Sequence, residues 1–206
     1  MSEIAQLAAQ IFRNAAGRDR FLVAIAGAPG SGKSTLAEQL VELLKEAPAA
    51  LVPMDGFHYD NSVIESRGLA KRKGAPETFD VEGLRATVER LRAGGFDIAV
   101  PLFDRSADLA RAGASIVAAR DRIVIVEGNY LLLDEAPWRE LKNKFDLTIF
   151  LDVPRGILAH RLVQRWLDQG LPEAQARERA FSNDMVNAER VITARLEPDI
   201  TIAFRE

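Results

Sequence analysis

Gly27, Gly32, Lys33 and Ser34 fall at the spacing GxxxxGK[ST] inside GAPGSGKST, residues 27–35. A loop of this kind binds phosphate with its backbone: N–H groups wrap the anion, the Lys ammonium reaches the β and γ oxygens, and the hydroxyl meets Mg²⁺. Glycine serves where the chain must pass close to an anion without a Cβ in the way. On this reading Gly27, Ala28, Pro29, Gly30, Ser31, Gly32, Lys33, Ser34 and Thr35 seat the phosphates of ATP. A chance glycine-rich turn is the competing reading, and the flanks argue against it. The β-prone run Phe21 to Ala26 precedes the loop, and Leu36, Leu40, Val41, Leu43 and Leu44 follow at helical spacing. A helix beginning there points its positive end at the same anion.

Other elements must bring reactive groups to that loop. A short strand, Ala50 to Met54, leads into Asp55. In an open α/β sheet the ligand lies at the carboxyl ends of the strands, so Asp55 faces the γ-phosphate end of the loop and is a candidate base. Asp55–Gly56 also reads as a simple turn. The four β-branched residues Ile123 to Val126 suit a strand buried on both faces, and Glu127 stands at its carboxyl end. A carboxylate there can orient a Mg²⁺-bound water; the alternative is a charge leaving the core. Ser34, Glu127 and Asp55 are therefore the metal candidates. A further strand, Leu147 to Leu151, ends at Asp152. Beyond Arg155, helical spacing through Leu158, Leu162 and Trp166 places Arg161 and Arg165 on one face. Pro172 separates a second helix, Glu173 to about Arg195. Phosphoryl transfer needs cations against the charge on the transferred oxygens and needs water kept out, so the spacing predicts a lid over 155–195 with Arg161 or Arg165 acting. Surface pairing with Asp168 or a nearby Glu is the alternative reading of those arginines.

MDGFHYDN, residues 54–61, and RKGAPETFD, residues 72–80, resemble segments of bacterial type I pantothenate kinase. With the phosphate loop, Asp55 and IVEGNY (residues 125–130), they make the chain similar to the phosphoribulokinase, uridine kinase and pantothenate kinase branch of the P-loop kinases, and to its compact members grouped with fructose-transport-system kinases. The resemblance implies a three-layer α/β/α fold with a central parallel sheet, ATP and Mg²⁺ as cofactors, and Asp55 as the base that takes the acceptor's hydroxyl proton. It implies that His58, Tyr59 and Arg72 line the acceptor pocket, although Lys71 to Lys73 also reads as a solvated basic face and His58 as a core residue. Phe103, Asp104 and Arg105 stand where related kinases place an acceptor-contacting hairpin, and NDMVN implies an acceptor contact for Asn187. The implied acceptor is a small molecule with a hydroxyl, a sugar first. Pantothenate, a nucleoside and glycerate are the alternatives, and an ATP-binding regulator without such an activity is the rival of another class.

The rest of the chain narrows the setting. At 206 residues it reads as one domain, with a strand pair over 97–118 around a polar middle. Asp80 and Gly94 bracket a helix, Val81 to Ala93. With 27 basic against 30 acidic residues there is no broad field for nucleic acid or an acidic membrane, so the anion site must be local. No cysteine is present, which removes disulfides and thiolate chemistry, and no run reaches membrane-spanning length. These features predict a cytoplasmic protein.

Overall fold

A computed structural model describes residues 2–44 and 47–204. Helix α1, Glu3–Asn14, is capped by Ser2, whose hydroxyl accepts from the Ala5 N–H. It is followed by β1 (Phe21–Gly27), α2 (Lys33–Leu43) and β2 (Ala49–Pro53), which ends one residue before the expected Met54. Met54–Phe57 is a 3₁₀ turn, so Asp55 sits just past the strand end. Next come α3 (Asn61–Ser66), α4 (Val81–Ala93), β3 (Ile98–Asp104), β4 (Leu109–Val117), β5 (Ile123–Gly128) and β6 (Leu147–Asp152). The chain closes with α5 (Arg155–Asp168), α6 (Glu173–Arg179), α7 (Met185–Thr193) and β7 (Ile200–Ala203).

Five strands form one parallel sheet in the order β2-β5-β1-β6-β7. Every residue of β1 and of β5 is buried, as their unbroken apolar runs require of strands covered on both faces. Alternation divides them cleanly. Phe21, Val23, Ile25, Ile123 and Ile125 face the layer built by α1 and α2. Leu22, Ala24, Ala26, Val124 and Val126 face the opposite layer, with Leu84, Val88 and Leu91 of α4 and Leu158 of α5. The result is the three-layer α/β/α arrangement. Among the described residues no helix is long and apolar enough to cross a membrane.

The β3–β4 pair is antiparallel and separate from the main sheet. It packs on the turn that carries Asp55 so closely that a Cβ on Gly56 would lie 2.4 Å from the Pro101 carbonyl oxygen. Its tip is clasped as well. Lys73 Nζ donates to Asn61 Oδ1 (2.6 Å) and to the Asp108 carbonyl (2.8 Å), and Asp108 takes the left-handed φ of 52°.

The stretch expected as one helix from Glu173 to Arg195 is instead three pieces: α6, a π turn at Ala180–Asp184, and α7. Asn183, Asp184, Asn187, Ala188 and Val191 are buried, so its second half belongs to the body of the protein. A π turn holds one residue more than an α turn, which lets Asn183 and Asp184 both reach interior partners.

The contact at Gly56 predicts that Gly56→Ala overpacks the hairpin junction and costs about 1–3 kcal/mol. Denaturant unfolding checks this; an unchanged midpoint would show that the hairpin shifts without cost.

Candidate active site

The phosphate loop is shaped by its backbone. The Ser31 N–H donates to the Ala28 carbonyl at 3.0 Å, and Gly30 and Gly32 take φ values of 80° and 92°, which side chains with a Cβ rarely adopt. Gly32 occupies the N-cap of α2 and supplies no side-chain cap, which leaves the helix's first N–H groups for a ligand. A Cβ on Gly27 would come within 2.7 Å of Ser31 Oγ. From α5, Arg161 Nη1 donates to the carbonyls of Gly30 (3.2 Å) and Ser31 (3.4 Å), and its guanidinium lies 5.0 Å from the Phe204 ring centre.

Two carboxylates meet this loop from the strand ends. Glu127 is buried at the end of β5. Burial raises its carboxyl above the ordinary carboxylate value; Lys33 pulls it back, Asp55 pushes it up, and the Ser34 hydroxyl and Arg105 also pull it down. Asp55 is about one-third exposed, and Arg105 Nη2 arrives from the hairpin tip at 3.6 Å from its carboxylate. His58 Nδ1 donates to the Asp55 carbonyl at 2.9 Å, with its ring between Phe79 and Phe103. Burial holds the His58 imidazole below its usual value, with Asp55 opposing.

A cavity of about 1000 Å³ opens over the loop. It is lined by Pro29 to Leu36, Asp55, Arg105, Asn129, Arg161 and Arg165, and further out by α1 and by Ile200 to Phe204. Ser31 Oγ, Asn129 Oδ1 and Arg165 Nε are buried without a hydrogen-bond partner among the described residues, and all three residues line this cavity. Buried polar atoms are normally satisfied, so three orphans around one loop fit a polar ligand that supplies the missing bonds. The loop fits ATP, and a serine hydroxyl beside buried oxygen ligands fits Mg²⁺, which prefers oxygen donors, phosphates and water.

The other expected site residues lie at varied distances from the loop. Gly27 and Ala28 stand behind it as the end of β1 and the start of the turn. Arg72 faces inward: its guanidinium donates to Asn183 Oδ1 (2.9 Å) and Asn187 Oδ1 (3.1 Å), which brings Arg72 and Asn187 together across 115 residues. Tyr59 stacks under Arg67 at 4.5 Å. Asp104 accepts from the Ser106 and Ala107 N–H groups and thereby closes the hairpin turn. Arg165 pairs with Asp184 at 2.9 Å, while Asp168 accepts from Gln164. Asn129, Phe204 and Asp184 were not singled out by sequence reasoning. Asn129 had a signal in its place directly after β5, and Asp184 had one within NDMVN.

A family model described as an AAA domain matches residues 23–180. A solved structure from Silicibacter sp. TM1040, provisionally titled a fructose transport system kinase, superposes with a TM-score of 0.93 at 47% identity, covering 98% of this chain and 100% of that one. A Schizosaccharomyces pombe protein provisionally named a uridine kinase is 32% identical over 90% of this chain and 83% of its own length. The chain belongs to the P-loop small-molecule kinases. The kinase is also 38% identical to the Escherichia coli protein YggC over 91% of its length and 79% of that protein's. Its match to the pantothenate kinase of Leifsonia xyli, 33% identical, spans 48% of that enzyme.

A carboxyl whose folded-state value is raised favours the fold fully below the ordinary carboxylate range, and that contribution is lost as pH rises through the raised value. Glu127→Gln removes this loss. The ligand-free variant is expected to melt higher than wild type at pH 7–8, by roughly 2–4 °C for each ~1 kcal/mol in a chain of this size. The gain should vanish near pH 4. A variant that melts lower at pH 8 would mean that the attraction of Lys33 and the bond to Ser34 outweigh burial.

Proposed function

We propose that the kinase transfers the γ-phosphoryl group of ATP to a hydroxyl of a small molecule, with a sugar or polyol as the first choice of acceptor, and that it does so in the cytoplasm. The observation that carries this reading is the meeting of Asp55, at the end of β2, with the phosphate loop and with Arg105 from a hairpin built against the same turn. A nucleotide-binding loop alone needs no such second wall. The preference for a sugar is supported by the likeness, at 47% identity, to the protein provisionally described as a fructose transport system kinase, all of which this chain covers. Pantothenate, a nucleoside and glycerate are the alternative acceptors, and the pantothenate kinase match spans 48% of that enzyme.

In this reading the loop from Gly27 to Thr35 holds the polyphosphate, and Lys33 neutralises charge that develops on the transferred group. Ser34 would hold Mg²⁺, with Glu127 or Asp55 reaching it through water, and the ion would supply charge to screen the phosphate oxygens. Asp55 accepts the proton of the attacking hydroxyl, and Arg105, 3.6 Å away, aims the carboxylate. His58 fixes the turn through its bond to the Asp55 carbonyl and offers its ring edge to the acceptor. A cation on α5 completes the set from the far side of the loop.

The test is ADP release from Mg·ATP with fructose, other sugars and polyols, uridine, pantothenate and glycerate in turn. One acceptor class is expected to stimulate turnover at least tenfold. Asp55→Asn should lower that turnover about 10²–10⁴-fold, the range of a general base, with ATP affinity little changed. ATP binding without stimulation by any acceptor would favour an ATP-binding regulator instead.

A further inference from the structure

Arg161 and Arg165 sit one helical turn apart on α5 and both line the cavity, but they are held differently. Arg161 spends Nη1 on the Gly30 and Ser31 carbonyls, which are the loop's own backbone. Arg165 makes no bond to the loop. Its Nη2 donates to Asp184 Oδ2 at 2.9 Å, and the same oxygen accepts from Trp166 Nε1 at 2.7 Å. Asp184 is 8% exposed, and Arg165 Nε is buried with no partner among the described residues. The guanidinium groups of Arg165 (5.5 Å) and Arg179 (5.2 Å) both lie over the Trp166 ring. A buried carboxylate anchored by an indole thus grips one end of the guanidinium and leaves another N–H of it unsatisfied. This geometry suits a cation held ready for a ligand.

We propose that Asp184 is a positioning residue that holds Arg165 to meet the transferred phosphoryl group, while Arg161 braces the phosphate loop. The inference rests on the phosphoryl-transfer reading above and specifies which arginine acts in it. The π turn makes the placement possible. Within it the side chain of Asn183 bonds Arg72 Nη1 and the Lys73 carbonyl, and that of Asp184 bonds α5. One turn therefore supports both the segment beside the acceptor wall and the cation over the phosphates.

Calorimetry with MgATP and MgADP separates the roles in wild type, Asp184→Asn, Arg165→Met, the double variant and Arg161→Met. Asp184→Asn and Arg165→Met are expected to weaken ATP about tenfold relative to ADP, and the double variant no more than Arg165→Met, because the two residues act as a unit. Arg161→Met should weaken ATP and ADP alike. With an acceptor in hand, Asp184→Asn should lower kcat about 10–100-fold and raise KM for ATP in step with the weakened ATP binding, because the contact to the γ-phosphoryl group is lost in the bound state and in the transition state alike. Three results would overturn the assignment: equal weakening of ATP and ADP by Asp184→Asn, full additivity with Arg165→Met, or a lower melting temperature with the ATP-to-ADP ratio unchanged. If no acceptor stimulates even the wild type, the transfer reading fails, and the two affinities still decide the role of Asp184.

Discussion

A polyphosphate must be held by a chain whose net charge is −3, and the rest of the structure answers to that constraint. Long-range attraction is not available, so the binding has to come from dipoles and a few cations at contact distance. Gly30 and Gly32 at positive φ, and the uncapped start of α2, supply the dipoles. They are useful only if the turn cannot relax. Its entry is fixed by β1, buried along its whole length between β5 and β6, and its outer side is fixed by Arg161 on two of its carbonyls. Sheet order follows from the same need. Placing β1 between β5 and β6, with β2 beyond β5, brings the ends of β2 and β5 beside the loop and delivers Asp55 and Glu127 there.

Two carboxylates beside a polyphosphate repel it unless cations are interleaved, and the fold interleaves them from three directions. Lys33 comes from the loop, Arg105 from the hairpin, and Arg161 and Arg165 from α5. Each has its own support. The hairpin is kept on the Asp55 turn by the close approach of Gly56 to Pro101 and by the clasp of Lys73, Asn61 and Asp108. A flexible hairpin would lose the Arg105–Asp55 pair to entropy and solvent, since an exposed ion pair is worth at most about 1 kcal/mol on its own. The clasp makes that weak contact a usual one.

Local chemistry was legible in the residues, and distant pairing was not. GAPGSGKST, the β-branched run before Glu127, the Asp80 cap and the Gly94 stop each encode their structure within a few residues, and each element stands where its pattern put it. Partners across the fold were beyond such patterns. For Arg165 the sequence offered Asp168, three residues away; the fold supplies Asp184, whose buried carboxylate reaches α5 from the end of a π turn. A π turn differs from an α turn by one residue and has no composition of its own, so helical spacing read straight through it. Tyr59 and Asp104 illustrate the converse. Residues close by in the chain, Arg67 eight positions after Tyr59 and Ser106 two after Asp104, provide the stacking and turn bonds that occupy them.

The acceptor wall stays harder to read than the phosphate wall for a physical reason. Phosphate is bound by backbone geometry, and backbone geometry leaves a glycine signature. An acceptor is bound by side chains, and here most of the polar side chains nearby are already engaged with one another. Arg72 is taken up by Asn183 and Asn187, and Tyr130 donates to the Gly74 carbonyl at 2.5 Å. Such saturated pairs stiffen the segment from Lys71 to Phe79 and contribute shape to the wall. In the proposed reading, the groups left to discriminate between acceptors are those at the seam of turn and hairpin: Asp55, His58 and Arg105. On that reading three residue types, each common in proteins, carry the choice, and the distances between them are set by a hairpin junction that no local pattern encodes.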